Sequence, residues 1–262
     1  MNWRNVILGC LPSRAVDRVR ERERQARLHA GRVAFYRGLL APGDLVFDVG
    51  ANVGERVAAM LEAGCRVVAV EPQAACLERL RRLNARDGRL VIVPKACGAA
   101  PGSLVLRSGG GSDVLATLSE DYIHTVRESG RFAGHRWDRS ERVEVCTLDA
   151  LVAEHGMPRF IKIDVEGYEA QVLAGLSTAP EMLSFEYTPE LAPGMLACVE
   201  RCEELGLPEF NISFGESMIF ARQSWVTAGR MRQIVDVLEG DRFLFGDIFA
   251  RKAQELWAGH DA

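Results

Sequence analysis

Lysine is nearly absent from this 262-residue sequence: Lys95, Lys162 and Lys252 stand alone, and the other basic residues are arginine. That bias reads as codon composition rather than as a binding device. No apolar run approaches the ~18 residues that a membrane helix needs, so no membrane span is expected. The start has only a short apolar patch and no A-x-A-like cleavage site, so a secretory signal is not expected either. Cysteine is scattered: an odd seven cannot all pair, and only Cys198 and Cys202 stand four apart, with no Cys or His nearby to complete a zinc set. Reduced thiols in a cytoplasmic protein are the expectation. An excess of positive charge is missing too, since the formal net charge is −4, which argues against a nucleic-acid partner.

What the chain does have is apolar residue at 48% and charge at 26%, enough to bury a large core in an ordinary globular protein. Residues 1–40 form an Arg-rich arm with helical periodicity. It is read as a solvated helix that packs one stripe on the domain or pairs two subunits into a homodimer, ahead of a basic arm for an anionic surface. Residues 41–252 form the domain proper, and 253–262 a tail. Short apolar runs and amphipathic stretches alternate as β-α-β-α-β from residue 45 to 93, which predicts a doubly wound, mostly parallel α/β sheet. The stretch 107–141 breaks that pattern. It opens on the glycine run 109–111, shows no clean period over 114–141, and carries Tyr122, His124, His135 and Trp137; a lid or substrate insert is expected. The alternating runs 102–107 and 141–147 are expected to pair beside the main sheet, and 210–213 with 218–221 as an antiparallel pair. Trp225, Phe243 and Phe245 are read as core.

The strand at 45–49 ends in Asp48-Val49-Gly50-Ala51-Asn52-Val53-Gly54, and the next strand ends in Glu71. A buried strand, a glycine turn, a helix and a second acid about twenty residues on make a nucleoside site, the second acid accepting from the ribose hydroxyls. The turn has the form D-x-G-x-x-x-G instead of G-x-G-x-x-G. An aspartate at the strand tip repels a pyrophosphate and attracts a cationic amino-acid head or sulfonium, which favours S-adenosylmethionine over NAD. No Ser/Tyr-x-x-x-Lys pair is present to serve an NAD-type oxidoreductase, the alternative enzyme. A non-catalytic adenosylmethionine-binding scaffold is the alternative outside enzymes.

These blocks, VFDVGANVG and VAVEP, followed by FIKIDVEGYEAQVLAGL, LSFEY and the late GDIFAR, together resemble the FkbM family of S-adenosylmethionine-dependent methyltransferases from about residue 42 to 251. The resemblance implies a class I methyltransferase, Rossmann-like, with a seven-stranded, mostly parallel sheet whose last strand is antiparallel. It also implies O-methylation of a hydroxyl on a sugar, glycan or natural-product small molecule. On that fold Asp48, Gly50, Asn52 and Gly54 would form the turn under the methionine part of the cofactor. Glu71 would take the ribose, and Ala96 would leave room for the adenine. The catalytic candidates are Asp164, Glu166 and Lys162. Asp164, at a strand tip, is the first candidate for general base, or it positions the cofactor's amino group; with Glu166 it can hold a divalent cation that acidifies a bound hydroxyl. Glu186 ends the next strand and can face the same cavity. Lys162 shares a strand face with Asp164 and, being costly to bury unpaired, is expected to meet Asp164 or Asp48. Glu166 also stands where an acid favours a helix N-terminus. His124, His135 and Tyr122 are secondary candidates for contact with the acceptor.

Overall fold

The computed structural model describes residues 13–85, 87–110, 113–239, 241 and 244–253. Phe243, Gly111 and nearly all of the expected tail lie outside them. In chain order the elements begin with α1 (Ser13–Leu39), β1 (Leu45–Val49), α2 (Glu55–Glu62), β2 (Arg66–Val70), α3 (Ala74–Asn84) and β3 (Leu90–Val93). Next come β4 (Ala96–Cys97), β5 (Gly102–Ser108), α4 (Glu120–Ser129), β6 (Arg139–Cys146) and α5 (Leu148–His155). The last part is β7 (Phe160–Ile163), α6 (Glu169–Ala174), β8 (Met182–Tyr187), α7 (Ala192–Glu204), β9 (Glu209–Phe214), β10 (Val226–Thr227), α8 (Ala228–Leu238) and β11 (Gly246–Arg251).

The main sheet runs β10-β9-β11-β8-β7-β1-β2-β3. Strands β3, β2, β1, β7 and β8 are parallel, and β11 lies antiparallel between β8 and β9. The sheet therefore has eight strands and not the seven expected. The extra one is the two-residue β10, which lies antiparallel to Phe210 and Glu209 at the edge of β9, too short to show as a run in the sequence. Strand alternation divides the interior into two cores. Phe47 and Val49 of β1 join Val68, Ile161, Ile163 and Phe185 on one face. Val46 joins Val67, Phe160 and Phe249 on the other. Each fully buried aromatic or branched side chain here stabilises by ~1.5–3 kcal/mol.

The second core is where α1 docks. Val33 and Tyr36 are buried there, and Phe35 meets Phe220 and Phe249 edge-on at 5.3 and 5.6 Å between ring centroids. The helix is thus fastened by its C-terminal half to the chain's own sheet. None of the described helices is long and apolar enough to cross a membrane.

The insert is more ordered than its composition suggested. Strands β5 and β6 pair antiparallel as expected, with β4 on the other side of β6, in a separate three-stranded sheet. Within the stretch expected to lack a period, α4 forms. Ser119 caps it by accepting from the Tyr122 N–H at 3.0 Å, Gly130 ends it in the left-handed region at φ 74°, and Tyr122, Ile123 and Val126 are buried. Ten residues give too few turns for the period to stand out. The expected pair of 210–213 with 218–221 reduces to one bridge, Ser213 to Phe220, because only β9 continues as a strand.

Candidate active site

The main cavity, about 470 Å³, lies across the carboxyl ends of β1, β2, β7 and β8, where the strand order reverses between β1 and β7. Its floor is the glycine turn. Gly50 has φ +83°, and a Cβ there would stand 1.7 Å from the Asp164 carbonyl oxygen, so only glycine lets the β1 turn cross the tip of β7. Asn52, at φ 47°, donates its N–H to Glu71 Oε2 at 2.8 Å. The Gln73 N–H reaches Glu71 Oε1 at 2.7 Å. Burial pushes the Glu71 carboxyl up to about 7 against the pull of those amides. Ala96 and Cys97 line the same end of the cavity.

The four turn residues divide in two. Gly50 and Asn52 line the cavity; Asp48 and Gly54 do not. A Cβ on Gly54 would meet Leu83 and Leu80 at 2.7 and 2.8 Å, so this glycine serves the packing of α2 on α3. Asp48 is 1% exposed, and neither carboxylate oxygen has a hydrogen-bond partner among the described residues. Alternation turns it to the α1 face, in register with Lys162, instead of up into the cavity. Burial raises its pKa, opposed by Lys162 and Arg56.

The opposite end of the cavity is acidic. Asp164, Glu166 and Glu186 each bring a carboxylate oxygen within 4.8 Å of the other two. Strand β7 delivers Asp164, β8 delivers Glu186, and the left-handed Glu166 (φ 55°) turns the chain so that its side chain joins them. Lys162, 2% exposed, donates to Asp164 Oδ2 at 2.6 Å, as the shared face predicts. Against the upward push of burial, Lys162 and Arg56 hold Asp164 below the usual carboxylate range. Glu166 and Glu186 go the other way: burial and then the Asp164 charge push both well up. Glu169 accepts from the Val165 and Gly167 N–H groups at 3.1 Å each, and burial lifts it to about 7. Three carboxyl groups this close, two of them driven toward the neutral form, are a donor set suited to a hard cation.

The insert closes over this floor. Asp113 exchanges hydrogen bonds with the Gln73 side chain, its N–H donating to Gln73 Oε1 at 3.1 Å and its carbonyl accepting from Nε2 at 2.9 Å. Asn52 Nδ2 donates to the same carbonyl at 3.3 Å. The Tyr122 hydroxyl donates to Glu166 Oε2, and Thr117 Oγ1 to the Glu166 carbonyl at 2.6 Å. Tyr122 thus orients a carboxylate. His124 lies on the surface beside Glu128, and His135 sits 3.2 Å from Asp113 Oδ2; neither lines the cavity. Phe245, read as core, is 41% exposed at the cavity wall, while Trp225 is partly buried on the second core beneath Arg251. Sequence reasoning missed Gln73, Asp113 and Thr117. Their partners are as much as 49 residues away, and no local pattern marks them.

A model of the methyltransferase FkbM domain matches residues 48–203. The 31-O-demethyl-FK506 methyltransferase FkbM of Streptomyces tacrolimicus is 30% identical over 162 residues, 53% of this chain and 62% of that protein. The hexuronic acid methyltransferase AglP of Haloferax volcanii is 28% identical over 144 residues, 54% of each. The matches thus span less than two thirds of either relative. Among solved structures, the precorrin-6y C5,15-methyltransferase of Geobacter metallireducens aligns with TM-score 0.43 at 11% identity, over 86% of this chain and 87% of that one. An S-adenosylmethionine-dependent O-methyltransferase of Thermotoga maritima aligns with TM-score 0.41 at 13% identity, over 85% and 64%. The family match runs from the tip of β1 through β7 and β8 into α7, taking in both walls of the cavity, and the chain belongs to the FkbM methyltransferase domain family.

Proposed function

We propose that this chain is an S-adenosylmethionine-dependent methyltransferase that methylates a hydroxyl group on a sugar, glycan or natural-product small molecule. The observation that carries this reading is the two-ended cavity: a nucleoside-sized end around Glu71, Gln73 and Ala96, and a carboxylate end at Asp164, Glu166 and Glu186. Gly50 and Asn52 form the floor between them, and 107–141 acts as the lid.

In this reading the methyl donor brings an activated sulfonium, so its leaving group needs no protonation. The protein's work is to align the acceptor oxygen near ~3 Å and to take its proton. Asp164 is the residue placed for that proton, because Lys162 and Arg56 keep it ionised. The same stabilisation makes it a weak base. A divalent cation held by Asp164, Glu166 and Glu186 would offset this by acidifying the bound hydroxyl. Lys162 holds Asp164, Tyr122 holds Glu166, and the lid excludes water. Asp48 acts from beneath, as a counter-charge to Lys162.

The test separates binding from chemistry. Glu71→Ala should abolish S-adenosylmethionine binding by calorimetry. Asp164→Asn should keep that affinity while methyl transfer to a hydroxyl-acceptor panel, followed with labelled donor, falls ~100-fold or more, the range of general-base loss. Unchanged donor affinity in the first variant would sink the nucleoside assignment. Loss of binding in the second would make Asp164 a donor ligand. A chelator arm reads the cation directly.

A further inference from the structure

A second cavity, about 300 Å³, lies beyond the carboxylate end of the first and shares Glu186 and Thr188 with it. Its lining is mixed: Leu191, Pro193 and Met195 are apolar, and Ser119, Asp121, Glu169, Glu186, Thr188 and Glu190 are polar. No Arg, Lys or His among the described residues lines it.

We propose that this second cavity is the distal acceptor subsite and that it takes an uncharged sugar ring, excluding acceptors that carry a carboxylate. The proposal rests on the methyltransferase reading above and deepens it. An acceptor whose hydroxyl meets Asp164 has the nucleoside end closed to it by the donor. The second cavity, reached past the shared Glu186 and Thr188, is the adjoining space for its remaining bulk. A ring with apolar faces and hydroxyl edges matches a lining that mixes apolar side chains with carboxyl and hydroxyl groups.

Charge supplies the selectivity. Burying an acceptor carboxylate requires an available cation. Every cation lining the main cavity already has a carboxylate within 3.2 Å: Arg32 on Glu55, Arg56 on Glu216, Lys95 on Glu144, Arg131 on Glu190 and Lys162 on Asp164. Among the described residues, the second cavity has no cation of its own with which to pair a uronate. A cationic ring gains less there because Glu190 already has Arg131 as its partner.

Gly194 provides the handle. It lines the second cavity in the first turn of α7, and a Cβ there meets nothing within 4 Å, so a large side chain can fill the space without displacing backbone. The probes are the gluco, galacto and manno p-nitrophenyl hexosides and their matching hexuronides, titrated by saturation-transfer NMR onto protein loaded with S-adenosylhomocysteine. At least one hexoside should bind saturably, its hexuronide about tenfold or more weaker. Gly194→Trp, and Ala170→Met from the facing helix, should each weaken the hexoside about tenfold while S-adenosylhomocysteine affinity by calorimetry and the melting temperature hold. No binding by any hexoside, equal binding by the hexuronide, or wild-type hexoside affinity in both variants overturns the proposal. Failure of S-adenosylhomocysteine to bind the wild-type protein instead overturns the methyltransferase reading beneath it.

Discussion

Glu169 shows how one residue couples the site to stability. Its Oε1 accepts two backbone N–H groups that shape the turn after β7, yet burial lifts the carboxyl from 4.5 to about 7. The folded pKa is above the unfolded one, so between these values the folded state keeps a proton that the unfolded chain has lost. The contribution of this group is therefore full below pH 4.5 and is lost as pH rises through about 7. A shift of this size is worth ~3 kcal/mol. Glu169→Gln imitates the neutral acid and should flatten the fall in urea-unfolding free energy between pH 5 and 8 by an amount of that order; identical slopes would show that Glu169 is ionised throughout. At this scale the sequence was legible wherever alternation decides. Lys162 and Asp164 stand two apart on one strand and meet as that spacing requires. Asp48 follows Val46 by alternation onto the α1 face, in register with Lys162, and does not line the cavity.

At the scale of elements, the parallel strands β1, β2 and β7 were plain from their short, mostly apolar runs, and the internal structure of the 107–141 insert was not. Its helix α4 is short, and its anchoring pairs, Gln73 with Asp113 and Tyr122 with Glu166, join segments 40 and 44 residues apart. Such contacts follow from how the insert folds back over the sheet, which no local period encodes. Gln73 fastens the insert by two hydrogen bonds to the Asp113 backbone, each worth ~0.5–1.5 kcal/mol net. Gln73→Ala should therefore speed amide exchange across 113–118 by roughly ten- to a hundredfold with no change in the core strands. Unaltered exchange there would mean that Asn52, Tyr122 and Thr117 hold the insert without Gln73.

For the molecule as a whole, the C-terminal half of α1 is fastened into the domain. Tyr36 is 1% exposed, and Arg32 ties the helix to Glu55 at 2.7 Å and to Glu216 at 3.1 Å on the cavity wall. Tyr36→Ala should cost ~3–5 kcal/mol by analogy with other buried aromatics and lower the melting temperature accordingly. A loss under ~1 kcal/mol would mean that α1 docks too loosely to shape the site. The crossing of Gly50 over the Asp164 carbonyl carries a further consequence. The β1 turn and the Asp164 backbone pack against each other, so they form one inflexible part that tolerates no independent adjustment. On the proposed reading, acceptor preference is set by what surrounds that part, chiefly 107–141 and the start of α7. These two segments should be transplantable between relatives as cassettes, leaving the β1–β7 seam untouched.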